Sequence, residues 1–407
     1  MSAAKRADHV PALDGLRAFA LIGVVVFHLF GISGMLTTGG DSTHEWAIWT
    51  VFGNTLDIFF ILSGFVLFLP VIRRNGKVGR KTDWYLRRFA RLQPEYWACL
   101  VVLVMMIALI PVDFEPAMPS LGNFLLHFFD LQTVNRMINP GVSIGFWIDG
   151  ALWLVPVIAG LYLLFPLVAG FFYRHIWTGL AIAALLTVCW KLAPVHLPAL
   201  FQEISGNAVP NDSIEIIAHD QTPAFFYSFA LGMAAAWVFS IAIRNPGSPW
   251  IRRGVILAFA VGIPAYILVS IPFTQAALET TTGYDGSSRG RGLAFNGLAS
   301  STVRGVLLLG IILGPLWLQK PFANRPVSWL ANQSYGIYLI HLPIAFYALQ
   351  LLSIPQTGTI RSLTLWCVVV LPIATTYAWC SRVAIGEPSL KLVNRWIRKR
   401  KNRAGKV

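Results

Sequence analysis

Apolar stretches of about 17 to 25 residues, each long enough at about 1.5 Å of rise per residue to cross a hydrocarbon layer of roughly 30 Å, recur along nearly the whole chain. They place ten spans, at 11–36, 46–72, 95–111, 150–173, 176–192, 222–243, 254–273, 299–318, 327–352 and 362–384. The fold class they imply is an all-α polytopic membrane protein. With 56% hydrophobic residues, 12% charged residues and a mean hydropathy of +0.63, the 407-residue chain carries more apolar surface than one soluble core can hide. The first run is long, holds Asp14 and Arg17 near its start and lacks a small-residue cleavage site, so it reads as a retained span and not a signal peptide.

Cytoplasmic loops carry the excess of Lys and Arg. With the N-terminus inside, 25 of the 32 basic residues fall on that side and five outside, Arg17 and Arg304 lying within spans. Both termini are therefore expected in the cytoplasm. The formal charge of +14 then needs no nucleic acid, since basic side chains beside spans meet anionic lipid headgroups. The membrane domain is taken as 1–387 and a basic cytoplasmic tail as 388–407. Loops at 112–149, 193–221 and 274–298 fall outside, the last rich in Gly, Ser and Thr like a surface cover. "DWYLRRFARLQPEYW", ending its arginine run near Pro94, has the pattern of a helix lying in the cytoplasmic interface ahead of the third span. Cys99, Cys189, Cys367 and Cys380 sit in or at the ends of spans without CxxC spacing, which reads as small buried hydrophobes and indicates neither a disulfide framework nor a metal site.

"RAFALIGVVVFH" raises the question of chemistry. Arg17 and His28 are eleven residues apart, three helical turns plus about 20°, so they share one face, with Asp14 on the same stripe and about 16 Å of rise between Arg17 and His28. Ionisable groups inside spans are expensive and face a bundle interior or watery cavity. Either Asp14 and Arg17 pair near the interface while His28 bonds a neighbouring helix, or the stripe lines a pocket in which a neutral imidazole acts as general base. Arg88 and Arg91, three apart, point one way: as headgroup anchors or as guanidinium forks for phosphate. "SYGIYLIHLPI" adds Tyr335, Tyr338 and His341, and "DIFFILSGF" adds Asp57 and Ser63, residues that serve equally as structural anchors or as substrate contacts.

Taken in order, "LDGLRAFALIGVVVFH", "DIFFILSGFVL", "RRFARLQPEYW" and "SYGIYLIHLP" resemble the acyltransferase-3 family of integral membrane O-acyltransferases, over essentially the whole chain. The resemblance implies a bacterial enzyme of the cytoplasmic membrane that moves an acetyl or other short acyl group from cytoplasmic acyl-CoA to a hydroxyl of a glycan, glycolipid or other carbohydrate-containing acceptor. It assigns His28 as the catalytic histidine with Arg17 its motif partner and Asp14 beside them, and gives Arg88 and Arg91 the phosphates of coenzyme A. Asp57, Ser63, Trp153, Tyr335 and His341 are carried as substrate-binding candidates. The implied cavity is lined by the first, second and ninth spans, with acyl-CoA as co-substrate and no metal or bound cofactor.

The chain departs from the family at one place. Where members read W-S-L-x-x-E, it has "WLVPVIA", with Leu154 for the serine and Ile158 or Ala159 where the acidic residue would fall. Asp149 or Glu203 could substitute from nearby, or the chemistry is altered. Two other readings stay open: a transporter or flippase, since ten spans and in-membrane charges also describe carriers, and a non-catalytic acyl-shuttling membrane protein.

Overall fold

The computed structural model describes residues 10–35, 51–52, 55–112, 118–208, 210–245, 247–279 and 286–404. Helix is the only extended regular structure among them. Eleven long helices follow in chain order: α1 Ala12–Ile32, α2 Leu56–Arg73, α3 Lys81–Leu109, α4 Leu154–Arg174, α5 Ile176–His196, α6 Phe226–Ala242, α7 Pro249–Glu279, α8 Gly286–Leu313, α9 Arg325–Leu352, α10 Ile360–Ser381 and α11 Glu387–Ala404. Among the described residues nine helices are long and apolar enough to cross a membrane, and the end of α8 with the short segment Leu316–Phe322 forms a pair bent by 118° that makes a tenth if counted as one span. The protein is a multi-pass membrane protein. The start of the second expected span, at 46–50 and 53–54, the end of the first at residue 36, and the N-terminal Lys5 and Arg6 lie outside the described residues.

Without a hydrophobic drive between helices in lipid, close packing depends on small residues. At the α2–α6 contact a Cβ on Gly64 would fall 2.0 Å from the Phe229 carbonyl oxygen, and one on Gly232 1.9 Å from that of Ile61. Only glycine allows backbones that close. Helix α9 packs against both α1 and α10, starting from an Asn324 side chain that caps the Val327 amide. By contrast α7 leaves Ile256, Leu257, Val261, Ile263 and Leu268 exposed, as a lipid-facing helix does.

Several expectations change. The segment 84–94 is not a separate interfacial helix: α3 runs unbroken through Pro94, because a missing donor within a span can be compensated by its neighbours. The 112–149 segment is not merely an outer loop, since it folds back along α3 with short helices at Leu121–Phe128 and Gln132–Ile138. Phe128 stacks on Trp97 at 4.2 Å, Gln93 donates to Asp130, and Gln132 donates to the Tyr96 hydroxyl at 3.0 Å. His127 is kept neutral by burial, which lowers its pKa to about 4, and accepts the Gly145 amide at 2.9 Å. The expected 274–298 loop is mostly helix, shared between α7 and α8, and residues 280–285 lie outside the described residues. Residues 388–404, in the segment read as a basic tail, are helical. They form α11, joined to α10 by a π-helical turn at Arg382–Gly386 and tied to α3 by the Arg400–Asp83 ion pair. Cys99 is buried, but Cys189 and Cys380 are exposed on helix surfaces, where lipid accepts a thiol that water would not favour.

Candidate active site

The cavity of interest has a volume of about 340 Å³ and lies between α1, α2, α3, α4, α9 and the α10–α11 turn. Three more walls contribute than the first, second and ninth spans expected from sequence. Arg17, Arg88, Arg91 and Arg382 line it, against the carboxylates of Glu95 and Glu387, so guanidiniums outnumber acids four to two. Arg88 lies over the rings of Trp84 and Tyr162, each at 5.6 Å, which fixes its long side chain. Arg382 pairs with Glu387 at 3.0 Å, and Glu95 packs against Gly386 so tightly that a Cβ there would lie 2.0 Å from its Oε1. The π turn thus sets an acid and an arginine on the cavity wall. An opening rich in fixed guanidiniums can hold a polyanion such as a phosphate ester in two-point geometry.

At its inner end the cavity meets Tyr338, whose hydroxyl donates to the Ala151 carbonyl at 2.5 Å. One helical turn further along α9 stands His341, with its ring centroid 5.7 Å from that of Tyr338. His341 Nε2 lies 2.8 Å from His28 Nδ1, and His341 Nδ1 lies 2.7 Å from the Tyr338 carbonyl oxygen. A carbonyl only accepts, so His341 Nδ1 carries the proton. Its Nε2 in the neutral ring then accepts from His28 Nδ1–H, which leaves His28 Nε2 with a free lone pair. That is the tautomer a general base needs.

Of the residues proposed from sequence, the structure brings Arg17, Arg88, Arg91, Ser63 and Tyr335 together on the cavity wall, and joins His28 to His341. Asp14 lies close enough to Arg17 for their charges to interact but is not among the lining residues. The ring nitrogen that His28 meets is that of His341. Asp57 is drawn away to Ser301, Ser228 and Arg304, and Trp153 stacks on Phe225 at 5.5 Å outside the cavity. Ile158 faces the cavity where the family pattern has its acid. Glu203 is exposed on the short helix Pro198–Ile204 and does not line the cavity. Asp149 is fully buried ahead of α4, beside the Ala151 amide, and neither carboxylate oxygen meets hydrogen-bond geometry with a partner among the described residues. Burial pushes its pKa well above the usual carboxylate range, and it follows a turn in which Phe146 and Trp147 hold φ of 58° and 70°, a strained left-handed conformation for such residues. Glu95, Arg382 and Glu387 were not picked out from sequence. The spacing of Glu95, four residues after Arg91 in a largely apolar segment, was the available signal.

The family described as Acyltransferase domain, the acyltransferase-3 family, matches residues 10–380. Among characterised and curated proteins, the chain is 26% identical over 401 residues to Peptidoglycan O-acetyltransferase OatA of Listeria monocytogenes, covering 96% of this chain and 56% of that protein. It is 23% identical over 355 residues to Putative peptidoglycan O-acetyltransferase YrhL of Bacillus subtilis, covering 83% of this chain and 48% of that one. A Putative O-acetyltransferase of Staphylococcus aureus is 20% identical over 348 residues, with 84% and 51% covered. The chain spans about half the length of these relatives. No solved structure matches.

Proposed function

The chain belongs to the acyltransferase-3 family, and from that premise we propose that it is a membrane O-acyltransferase carrying an acetyl or other short acyl group from acyl-CoA to a hydroxyl of a cell-envelope glycan. The observation that carries this reading is the shared face of α1: Arg17 lines the arginine cavity, and three turns on, His28 is held by His341 with a free nitrogen. In the charge-based orientation the arginines open toward the cytoplasm, where acyl-CoA is found. The bacterial relatives favour the bacterial cytoplasmic membrane as the location, and the names of two of them favour peptidoglycan as the acceptor class.

In this mechanism Arg88 and Arg91, with Arg17 and Arg382 nearby, hold the donor's phosphates while its arm runs about 16 Å along α1 toward His28. His28 Nε2 takes the proton of the acceptor hydroxyl as its oxygen attacks the thioester carbonyl. The C–S bond breaks, the ester forms, and the proton passes to the departing thiolate. His341 keeps the His28 ring in the required tautomer. No metal enters these steps.

Purified protein in liposomes tests the reading. Labelled acetyl-CoA supplied on the arginine-lined side should transfer label to soluble peptidoglycan glycan fragments. Absence of any donor-dependent label in glycan would count against it.

A further inference from the structure

A second collection of charge lies on another face of α2, between α2, α5, α6 and α8. Asp57 accepts from Ser301 at 2.8 Å and from Ser228 at 3.3 Å, and Arg304 lies 3.8 Å from the same carboxylate. Arg304 is only 5% exposed, donates to Ser300, sits 5.1 Å over the Tyr266 ring, and keeps its Nε without a partner. Lys191 points into the same group. Its ammonium stands 5.8 Å over the Phe225 ring, within the field of Asp57, and a Cβ on Gly297 would crowd it at 3.1 Å. Among the described residues no hydrogen bond or contact ion pair holds Lys191, so two cations share one carboxylate.

A partly buried cation without a contact ion pair is costly, and a ligand can supply the missing negative charge. The cluster is not sealed: Asp57 retains 13% of its side-chain surface, and Lys191 and Trp153 are half-buried. Phe225 stacks on Phe60 at 4.4 Å and on the half-buried Trp153 at 5.5 Å, an aromatic platform beside the charges. The Gly150–Trp153 turn links this platform to the histidines, since Trp153 stacks on Phe225 while the Ala151 carbonyl receives Tyr338, one turn from His341.

We propose that this cluster is the acceptor subsite and that it selects a glycan bearing a carboxylate, with Lys191 as the counter-ion and Arg304 held behind it by Asp57. The proposal rests on the reading of the chain as a glycan O-acyltransferase. It is tested by titrating the detergent-purified full chain, without donor, with the disaccharide N-acetylglucosaminyl-N-acetylmuramic acid, with the methyl ester of that acid, and with neutral chitobiose. The acid should bind about tenfold or more tightly than its ester, the scale of a charged hydrogen bond. Lys191→Gln should erase that difference and Lys191→Arg should keep it, with chitobiose affinity alike in all three proteins. Equal affinity for acid and ester in the parent overturns the proposal and needs no variant to show it. A difference that persists in a folded Lys191→Gln protein overturns it too. Because binding is read without donor, loss of acyl transfer leaves a positive result intact, while transfer with no preference for the acid removes the subsite and leaves the transferase reading standing.

Discussion

Arg17 and His28 share one face of α1, yet they stand in opposite settings. Arg17 opens onto a cavity where four guanidiniums meet two carboxylates, with donors left over for a ligand. His28 is half-buried, its Nδ1 committed to His341 and His341 committed in turn to the Tyr338 carbonyl. Surplus donors suit binding. A chain of hydrogen bonds that leaves one lone pair over suits the movement of a proton. In the proposed reaction, donor capture and proton transfer therefore belong to different layers of the membrane, and damage to each should have a different kinetic signature.

The largest effect should come from the histidine layer. His28→Ala should lower kcat for acyl transfer by about 10²- to 10⁴-fold, the usual contribution of a general base, with donor affinity kept, as steady-state kinetics in liposomes would show. A loss of donor binding instead would break the division. His341 acts through His28 and should cost less: His341→Ala should lower kcat by about 10- to 100-fold with KM little changed. His341→Gln, whose amide oxygen can accept from His28, should recover part of the rate. A buried position that mattered only for packing would not distinguish Gln from Ala in this way.

In the arginine layer, Arg88→Lys or Arg91→Lys keeps the charge but loses the planar fork, and should weaken acetyl-CoA binding by about 1 to 3 kcal/mol. Kinetically this should appear in the donor KM. Headgroup anchoring, which needs charge and not a fork, would leave both variants like the parent.

The smallest effect concerns the segment folded back on α3. Burial raises the Asp130 carboxyl to about 7 despite its hydrogen bond from Gln93. Between its unfolded value of about 4 and this folded value, the folded protein binds the extra proton, so stability is greatest in acid and falls as pH rises toward 7. Asp130→Asn should raise the melting temperature at pH 8 by a few degrees and change it little at pH 4. An equal shift at both pH values would show that folding does not raise the Asp130 carboxyl.

Much of this architecture was legible because lipid imposes simple rules: spans show as apolar runs, and each charge within one asks for an explanation. Arg17 stood out on that ground, Arg88 and Arg91 as a pair three apart beside a span, and all three meet in one cavity. The partner of His28 did not, since His341 lies 313 residues away and nothing in local spacing joins them. Arg382 reaches the cavity wall only because a π turn, followed by α11, carries the chain back over α3. Asp57 was read alongside the cavity residues because α2 carries both, but six residues separate it from Ser63, and at about 100° per residue that turns its side chain to another face. The re-entry of 121–153 was hidden as well. It holds no unbroken apolar run of spanning length and so resembles a loop, while its contacts with Gln93 and Tyr96 depend on pairing across the fold.

The most direct measurement is the affinity for acetyl-CoA in two purified variants, His28→Ala and Arg91→Lys, titrated calorimetrically beside the parent. Separate layers predict that His28→Ala binds the donor like the parent although it cannot transfer the acyl group, and that Arg91→Lys binds it about tenfold or more weakly. Parent-like binding in Arg91→Lys, or an equal loss in His28→Ala, would contradict the separation of donor capture from proton transfer.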